Sequence, residues 1–255
     1  FIARYRKEMH GSMDDQLIRE FAEKLEYLRG LDKRRDEIRS LIDAQEKLTD
    51  EINLALDKAA TLSELEDIYR PYRPKRKTRA SIAKEKGLEP LANNILKQEK
   101  GFDPSKSAVD YIDEEKGVTS VEDAIQGAMD IIAELVSDNA EIRKRIRNLT
   151  NANGVLVSVA TDEEKDSVYK NYYDYKEPVK KIAGHRVLAV NRGEKEGFLK
   201  VSVETDSEKP LNSIFRAMIT DKNQLCSDII REACTDAYQR LIYPSIEREV
   251  RNDLT

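Results

Sequence analysis

The sequence predicts a mainly α-helical fold, a multi-helix scaffold with a helix-turn-helix-like element and a small two- or three-stranded β insertion. Glycine and proline are scarce, at 10 and 7 of 255 residues, whereas many-stranded sheets need a turn every few residues. Charged residues make up 36% and hydrophobic residues 39%, a balance that suits solvent-rich helices better than a thick α/β core. Apolar residues also recur mostly at helical spacing, so long helices are expected.

Four helices are predicted in the first part of the chain. Residues suited to N-capping precede the first, third and fourth of them, at Asp14, Thr49 and Thr61. The second helix carries Ile38, and Glu64 completes a capping box with Thr61. Pro71 and Pro74 should end the fourth helix, because proline lacks a backbone donor and clashes with the preceding turn.

The stretch from 78 to 96 resembles a helix-turn-helix. Ala83 and Gly87 have the four-residue spacing at which a small residue lets two helices meet and glycine makes the turn. The register then fails, because Asn93 stands where an apolar residue is needed and Pro90 stands where groove-reading residues normally begin. Two ordinary bundle helices, divided at Gly87, are therefore the favoured interpretation.

Three more helices are predicted before residue 151. Asp103–Pro104 starts the first, and a capping box of Thr119 with Glu122 starts the second, whose apolar residues extend to Leu135. The third carries its apolar stripe on Ile142, Ile146 and Leu149. These helices complete an N-terminal helical region, predicted to span 1–150.

A mixed region is predicted to span 151–255. Two segments alternate like strands, at about 154–160 and 198–204, and can pair as a small sheet. Between them lie an acidic helix start near Asp162 and a stretch of tyrosines, interpreted as a buried aromatic corner rather than a base-stacking surface. Further helices are predicted at about 183–193, from Pro210, and from Asp221 until Tyr243–Pro244–Ser245 breaks the helix.

Charge and cysteine usage limit the classes of partner. The formal net charge is −5, so any nucleic-acid contact must come from local basic patches. Cys226 and Cys234 are predicted on one helix about two turns apart, too far for a disulfide, and indicate a reducing compartment. No apolar run approaches the roughly 18 residues that span a bilayer. We therefore expect a cytoplasmic protein without membrane contact, whose first and last residues look like boundaries within a longer protein.

The sequence carries no arrangement typical of a catalytic or metal site. Its two histidines, His10 and His185, are far apart, and no cysteine or histidine spacing fits zinc. It has neither a glycine-rich phosphate loop nor a Gly-x-Ser-x-Gly nucleophile motif. We expect no enzyme activity, no metal and no cofactor.

The densest candidate is the basic segment, YRPYRPKRKTR, from Tyr69 to Arg79. Its cations are Arg70, Arg73, Lys75, Arg76, Lys77 and Arg79, and no acid interrupts them. Prolines are expected to hold the segment extended, and Tyr72 can offer a stacking face. Guanidinium and aromatic groups together are typical of phosphate binding and base stacking. The alternative is a basic loop packed against acidic helices of the same chain.

A second basic run lies on the helix of Ile146. Its candidate nucleic-acid-binding residues are Arg143, Lys144 and Arg147. A solvated helix face explains this run without any function. Smaller basic clusters occur within the first eight residues and at Lys33–Arg35.

Three long blocks of the chain resemble the bacterial Tex family of transcription accessory proteins. They are FIARYRKE at Phe1–Glu8, LSELEDIYRPYRPKRKTRASIAKEKGLEPLA at Leu62–Ala92, and HRVLAVNRGEKEGFLKV at His185–Val201, preceded by Glu177–Pro178. The resemblance covers most of the chain and is weakest over about 205–255. Two departures, His10 where the family often has Thr and Met13 where Leu is common, touch no identifiable chemistry.

The resemblance implies a multidomain protein of transcription whose N-terminal part is helical. An RNase-H-like domain, a helix-hairpin-helix region and a C-terminal OB-type RNA-binding domain are expected beyond these residues. Affinity for nucleic acid, RNA or DNA, is expected to reside mainly in those C-terminal domains. No catalytic residue of the family falls within this chain.

The leading hypothesis is a non-catalytic helical scaffold of a Tex-like transcription accessory protein that adds non-specific nucleic-acid contacts. The alternative is a protein-interaction module that docks RNA polymerase or a ribosomal partner through its acidic helical surface. A sequence-specific helix-turn-helix regulator is a more distant alternative. Salt-dependent binding to random strands would favour the first hypothesis over the second.

Overall fold

The fold is described from a computed structural model for residues 14–74, 76–220 and 222–255. The chain divides into two compact units, unit 1 up to Pro74 and unit 2 from Lys75 onward. Helices dominate both units, and a three-stranded antiparallel sheet lies in unit 2. The predicted mainly α fold with a small β insertion is confirmed. The domain boundary after residue 150 stays a prediction, and the helix that crosses it, Ala140–Asn153, lies within unit 2.

Unit 1 is built from helices that pack along one long helix. Its described elements are α1 (Asp15–Asp43), α2 (Asp50–Lys58), α3 (Leu62–Tyr69) and a 3₁₀ turn (Arg70–Tyr72). The predicted N-caps are confirmed, since Asp14, Thr49 and Thr61 each accept a hydrogen bond from a first-turn backbone N–H. The Glu64 carboxylate accepts from the N–H of Ala60, the residue before the N-cap, at 2.7 Å.

The first two predicted helices are in fact one helix of 29 residues, α1. The separation was wrong because no proline intervenes, and a single glycine such as Gly30 costs a helix only about 1 kcal/mol. Burial of Leu31, Ile38 and Ile42 against α2 and α3 stabilises the second half of α1 by more than that.

Unit 2 contains most of the described elements. They are α4 (Arg79–Glu85), α5 (Glu89–Lys97), α6 (Pro104–Ala108), α7 (Val121–Ser137), α8 (Ala140–Asn153), β1 (Val155–Ala160), β2 (Asp174–Pro178), α9 (Gly184–Lys195), β3 (Leu199–Glu204), α10 (Glu208–Met218), α11 (Gln224–Asp236) and α12 (Tyr243–Asp253), with short 3₁₀ turns at Val109–Tyr111 and Lys170–Tyr172.

Helix α7 lies at the centre of the unit 2 core, with α4, α5 and α11 packed against it. Its N-cap is Ser120, one residue later than predicted, and the Asp123 carboxylate accepts from the backbone N–H of Thr119 at 3.0 Å. The buried face of α7 is wider than the apolar stripe predicted from the sequence. Leu135, which was predicted to lie in that stripe, is 45% exposed. Surrounding helices, which the local pattern does not encode, decide which face is covered.

The sheet has the strand order β2-β1-β3, and both pairings are antiparallel. The predicted pairing of the two clearer strands is confirmed, with Val157 opposite Ser202. The edge strand β2 is additional to the two predicted segments, because its DYKEP sequence alternates too weakly to indicate a strand. The helix predicted near Asp162 is wrong, since Asp162 starts a turn in which it accepts the Glu164 N–H at 3.1 Å.

The C-terminal helices run on without the predicted break. Asn223 caps α11 by accepting the Cys226 N–H, while Asp221, the predicted cap, lies outside the described residues. A π-helical turn, Ala237–Ile242, joins α11 to α12. Its wider backbone ladder accommodates Pro244, which has no N–H to donate, so the chain stays helical through Tyr243–Pro244–Ser245.

No helix in the described ranges is long and apolar enough to cross a membrane.

Candidate nucleic-acid interface

The basic segment spans the division between the two units. Arg70, Tyr72 and Arg73 end unit 1, whereas Arg76, Lys77 and Arg79 begin unit 2; Lys75 lies outside the described residues. The prolines do not extend the whole segment, because Arg70–Tyr72 forms a 3₁₀ turn and extended backbone begins only at Arg73.

In unit 1, the cation of Arg73 already has an anionic partner. Its guanidinium pairs with the Glu66 carboxylate and lies 5.6 Å from the ring centroid of Tyr69. The Arg34 guanidinium reaches the same carboxylate from α1 at 2.7 Å. Because the Arg73 side chain is 43% exposed, a phosphate can approach it, but only in competition with Glu66.

Tyr72 is half-buried against the unit 1 core, and its carbonyl accepts a hydrogen bond from the Gln45 amide at 2.9 Å. Arg70 is also half-buried. Packing therefore leaves Tyr72 less free to act as a stacking platform than the sequence suggests.

In unit 2, the remaining cations surround the start of α4. Thr78 and Ser81 form a capping box there, and the Thr78 hydroxyl donates to Glu134 of α7 at 3.0 Å. Arg76 and Lys77 are exposed, and the Lys77 ammonium lies 3.5 Å from Glu85 with both side chains largely in solvent. An ion pair this exposed is weak, so Lys77 remains available to a phosphate.

Arg79 is the first residue of α4, and its positive charge acts on the carboxyl of Asp130 on α7. Burial raises the pKa of Asp130 above its usual range, while the charges of Arg79 and Arg240 partly oppose that rise. Arg79 is exposed, so it can face solvent and Asp130 together.

The second basic run is mostly structural. Arg143 is fully buried, and its guanidinium donates to Glu249 at 2.8 Å and to Ser245 at 3.0 Å, both on α12. Arg147, 8% exposed, donates to the other Glu249 oxygen at 2.7 Å. The solvated-face interpretation is therefore wrong for these two arginines, which attach α8 to α12. Lys144 is exposed.

We call the pairing of Arg143 and Arg147 with Glu249 the clamp. The sequence contained little indication of it. The partners are more than 100 positions apart in the chain. The available hint is the i,i+4 spacing of Arg143 with Arg147, repeated by Ser245 with Glu249, which places each pair on one helix face.

The basic cluster on α1 also holds helices together. The Arg35 guanidinium donates to the carbonyls of Leu56 and Ala59 at the C-terminal end of α2, at 2.9 and 3.0 Å. That end of a helix carries partial negative charge and unpaired acceptors, which a cation satisfies. Arg4, Arg6 and Lys7 lie outside the described residues.

The helix-turn-helix-like element consists of α4 and α5 on either side of Gly87, whose φ of 85° only glycine adopts at little cost. The apolar face of α5, with Leu91 and Ile95, is buried in the unit 2 core. Asn93 is exposed, so it lies on a face of α5 that is not part of the core. A polar residue at this position therefore does not conflict with the packing of α5.

The tyrosine-rich stretch forms an aromatic corner beside the sheet. Tyr169 is 6% exposed, and the rings of Tyr172 and Tyr175 meet edge to face at 5.2 Å. Hydrogen bonds from Tyr175 and Arg186 lower the pKa of Glu177 below its usual range. The interpretation as a buried aromatic corner is confirmed for Tyr169.

The chain is similar to known protein families and to individual proteins. Residues 99–255 match the family described as Tex central region-like, and residues 1–43 match the Tex-like protein N-terminal domain. The Uncharacterized protein YdcI of Bacillus subtilis is 44% identical over 100% of this chain and 36% of its own length. The Transcriptional accessory protein Tex of Neisseria gonorrhoeae is 34% identical over 100% of this chain and 34% of its own length.

A human protein, S1 RNA-binding domain-containing protein 1, is also similar, at 29% identity over 100% of this chain and 27% of its own length. The chain therefore spans about a third of the curated relatives it matches.

Proposed function

This chain belongs to the Tex family, and we propose that it acts as the non-catalytic helical scaffold of a transcription accessory protein, with weak, sequence-blind nucleic-acid contacts at the basic segment. The whole protein would bind RNA or DNA mainly through domains outside this chain and would act beside the transcription machinery in the cytoplasm.

The use of the arginines carries the scaffold proposal. Arg143 and Arg147 donate hydrogen bonds to Glu249 and thereby attach α8 to α12. Arg35 donates to a carbonyl at the C-terminal end of α2. Among the described residues, no group of histidine, cysteine and acidic side chains is arranged to hold a metal ion. These arginine side chains therefore stabilise the packing of helices.

The cations that remain at the surface support the nucleic-acid proposal. Arg76, Lys77 and Arg79 follow one another closely and are exposed, and each phosphate contact they make would release counterions. Arg143 and Arg147 are buried, so the proposed contact with nucleic acid does not include them. Lys144 is exposed and is included. The net charge of −5 repels a polyanion at long range, so binding should be measurable chiefly at low salt.

The proposal is tested by a salt titration of binding to RNA, single-stranded DNA and duplex. We expect dissociation constants no tighter than about 10⁻⁶–10⁻⁴ M, alike for all sequences. The variant Arg73→Ala/Arg76→Ala/Arg79→Ala should flatten the salt dependence by about one unit per lost contact. The matched control, Lys106→Ala/Lys170→Ala/Lys195→Ala, removes three exposed cations elsewhere and should leave the slope largely unchanged.

An unchanged slope in the arginine variant would move the contact away from the basic segment. No binding to any strand at low ionic strength would leave the protein-docking alternative in its place. Turnover of nucleic acid or nucleoside triphosphate with Mg²⁺, abolished by substituting one carboxylate of this chain, would refute the non-catalytic part.

A further inference from the structure

A basic stretch runs from the edge strand β2 through most of α9. Residues 176–192 carry five lysines and arginines and one carboxylate, that of Glu177, which gives the stretch a formal charge of +4. The whole chain has a net charge of −5. The stretch therefore reverses the charge of the molecule locally, and a basic patch of this kind is typical of a surface that binds a polyanion.

The one carboxylate of the stretch already has partners. Arg186 donates to both oxygens of Glu177 at 2.9 Å, and the hydroxyl of Tyr175 donates to the same carboxylate. Glu177 is thus held within the fold by α9 and β2, and it leaves the other cations of the stretch without a counter-charge.

Three of those cations are exposed and unpaired. Exposed lysines of this acidic chain can pair with a neighbouring acid, as Lys106 does with Asp103 at 3.4 Å. Within the ranges that the structure describes, no acid pairs with Lys180, Lys181 or Arg192, although all three are exposed. Their charges therefore face solvent and can attract an external anion.

The packing of α9 decides which of its side chains face outward. The helix buries Val187 and Val190 against the rest of unit 2. At 100° per residue, His185, Leu188 and Arg192 lie on the opposite face. All three are exposed, Leu188 by 59%, so this face of α9 is open to a partner along its length.

The turn that carries Lys180 and Lys181 is fixed to the fold. Val179 before them is buried, and Ile182 after them packs against the hydrophobic cluster of the aromatic corner. The Pro178 carbonyl also accepts the N–H of Lys181 at 2.9 Å. Because the backbone is already ordered, an anion that binds here has only side chains left to immobilise, which lowers the entropy cost of binding.

We propose that Lys180, Lys181, His185, Leu188 and Arg192, which we call the α9 surface, bind the phosphate backbone of a nucleic-acid strand. The α9 surface rests on the proposed function and adds a second contact to it, within unit 2. Lysine and arginine neutralise phosphates, and the imidazole can donate a hydrogen bond to one.

The dimensions of α9 suit such a strand. His185 and Arg192 are about 10 Å apart along the helix at 1.5 Å per residue, close to three steps of about 3.4 Å along one strand of a duplex. The α9 surface ends at Arg192, because the next cation, Lys195, stands between Glu194 and Glu196 in the sequence.

A salt titration with the whole 255-residue chain and labelled RNA, single-stranded DNA and duplex tests the α9 surface. The variant Lys180→Ala/Lys181→Ala/Arg192→Ala should weaken binding to all strands and flatten the salt dependence by about one unit per lost contact. The matched control removes the same charge outside the α9 surface and should leave the slope largely unchanged: Lys106→Ala/Lys170→Ala/Lys195→Ala. Thermal unfolding should be alike in both variants, because all the substituted residues are exposed.

The outcomes separate the α9 surface from the basic segment. If the arginine variant of the basic segment flattens the slope and the α9 variant does not, the α9 surface is overturned and the proposed function stands. The reverse result supports the α9 surface and removes the contact from the basic segment. A control that flattens the slope as much as the α9 variant would show an effect of net charge alone and would also overturn the α9 surface.

Hydrogen exchange tests the same surface without any substitution. A short RNA at saturating concentration and low salt should slow exchange of the backbone amides of residues 180–188 by about two- to fivefold, and should leave those of α10 unchanged. No protection of 180–188 would overturn the proposal. Equal protection by polyglutamate would do so as well, because it would identify an acidic protein, not nucleic acid, as the partner.

Discussion

At the scale of single residues, guanidinium groups divide between those that join helices and those that stay at the surface. The clamp is the clearest case of the first kind, because Arg143 is fully buried while Glu249 is only partly so. A buried charge that loses its partner keeps its desolvation cost, and this asymmetry makes the clamp sensitive to substitution.

We predict that Glu249→Ala lowers the free energy of unfolding by about 3–5 kcal/mol, since it removes the carboxylate that both buried guanidinium groups, of Arg143 and Arg147, contact. Urea denaturation measures the change. Glu141→Ala, at an exposed position early in α8, serves as the control and should stay within about 0.5 kcal/mol of the unsubstituted chain. Equal effects of the two substitutions would show that the clamp contributes little.

Glu66 restrains the cation of Arg73. We predict that Glu66→Gln strengthens binding of single-stranded RNA at low salt by about two- to fivefold, because the phosphate then no longer competes with the carboxylate that pairs with Arg73, and such a gain corresponds to about 1 kcal/mol or less. Fluorescence anisotropy of a labelled strand measures the change. Glu99→Gln also removes one negative charge and is the control for net charge. An equal gain in affinity with Glu99→Gln would show that the effect does not depend on the pairing of Glu66 with Arg73.

At the scale of elements, the close approach of α7 to its neighbours depends on small residues. A Cβ at Gly127 would clash with Cδ1 of Leu88, whereas a Cβ at Gly30 of α1 would meet nothing within 4 Å. Close packing thus requires glycine at position 127, whereas α1 only tolerates it at position 30. The sequence does not distinguish the two positions, since each is a single glycine within a helical pattern.

The same substitution should therefore have opposite signs at the two sites. Gly127→Ala should destabilise by about 1–3 kcal/mol through overpacking, and Gly30→Ala should stabilise by up to about 1 kcal/mol through helix propensity. Thermal unfolding followed by circular dichroism distinguishes them. A stabilising Gly127→Ala would mean that Leu88 rotates away at no cost.

At the scale of the whole molecule, the core of unit 2 unites residues from its beginning and its end. Buried residues of α4 and α7 share a hydrophobic cluster with Ile230 and Ala233 of α11 and with Val203 of β3. The contacts thus group residues 75–255 together, whereas the change from helical to strand-like spacing of apolar residues suggests a boundary at 150.

We predict that a chain of residues 75–255 unfolds cooperatively, while residues 151–255 alone do not, because the α11 face that packs on α7 would be exposed to water. Calorimetry of the two fragments measures this difference. A sharp transition for 151–255 would instead support the boundary predicted at 150.

The sequence alone determined three helix starts in unit 1, the two clearer strands and the family. These features are local or consecutive: Asp14, Thr49 and Thr61 cap helices within three residues of themselves, and the Tex-like blocks are read in order along the chain. The basic segment was also visible, because its cations are neighbours in sequence.

Only the tertiary structure decided which of the cations remain at the surface. Arg143 and Lys144 are adjacent in sequence, yet one is fully buried against α12 and the other is exposed. The partner that makes the difference, Glu249, comes 106 positions after Arg143. Burial and electrostatic pairing depend on distance in space, and helical spacing reports only which residues share a face, not which element will cover it.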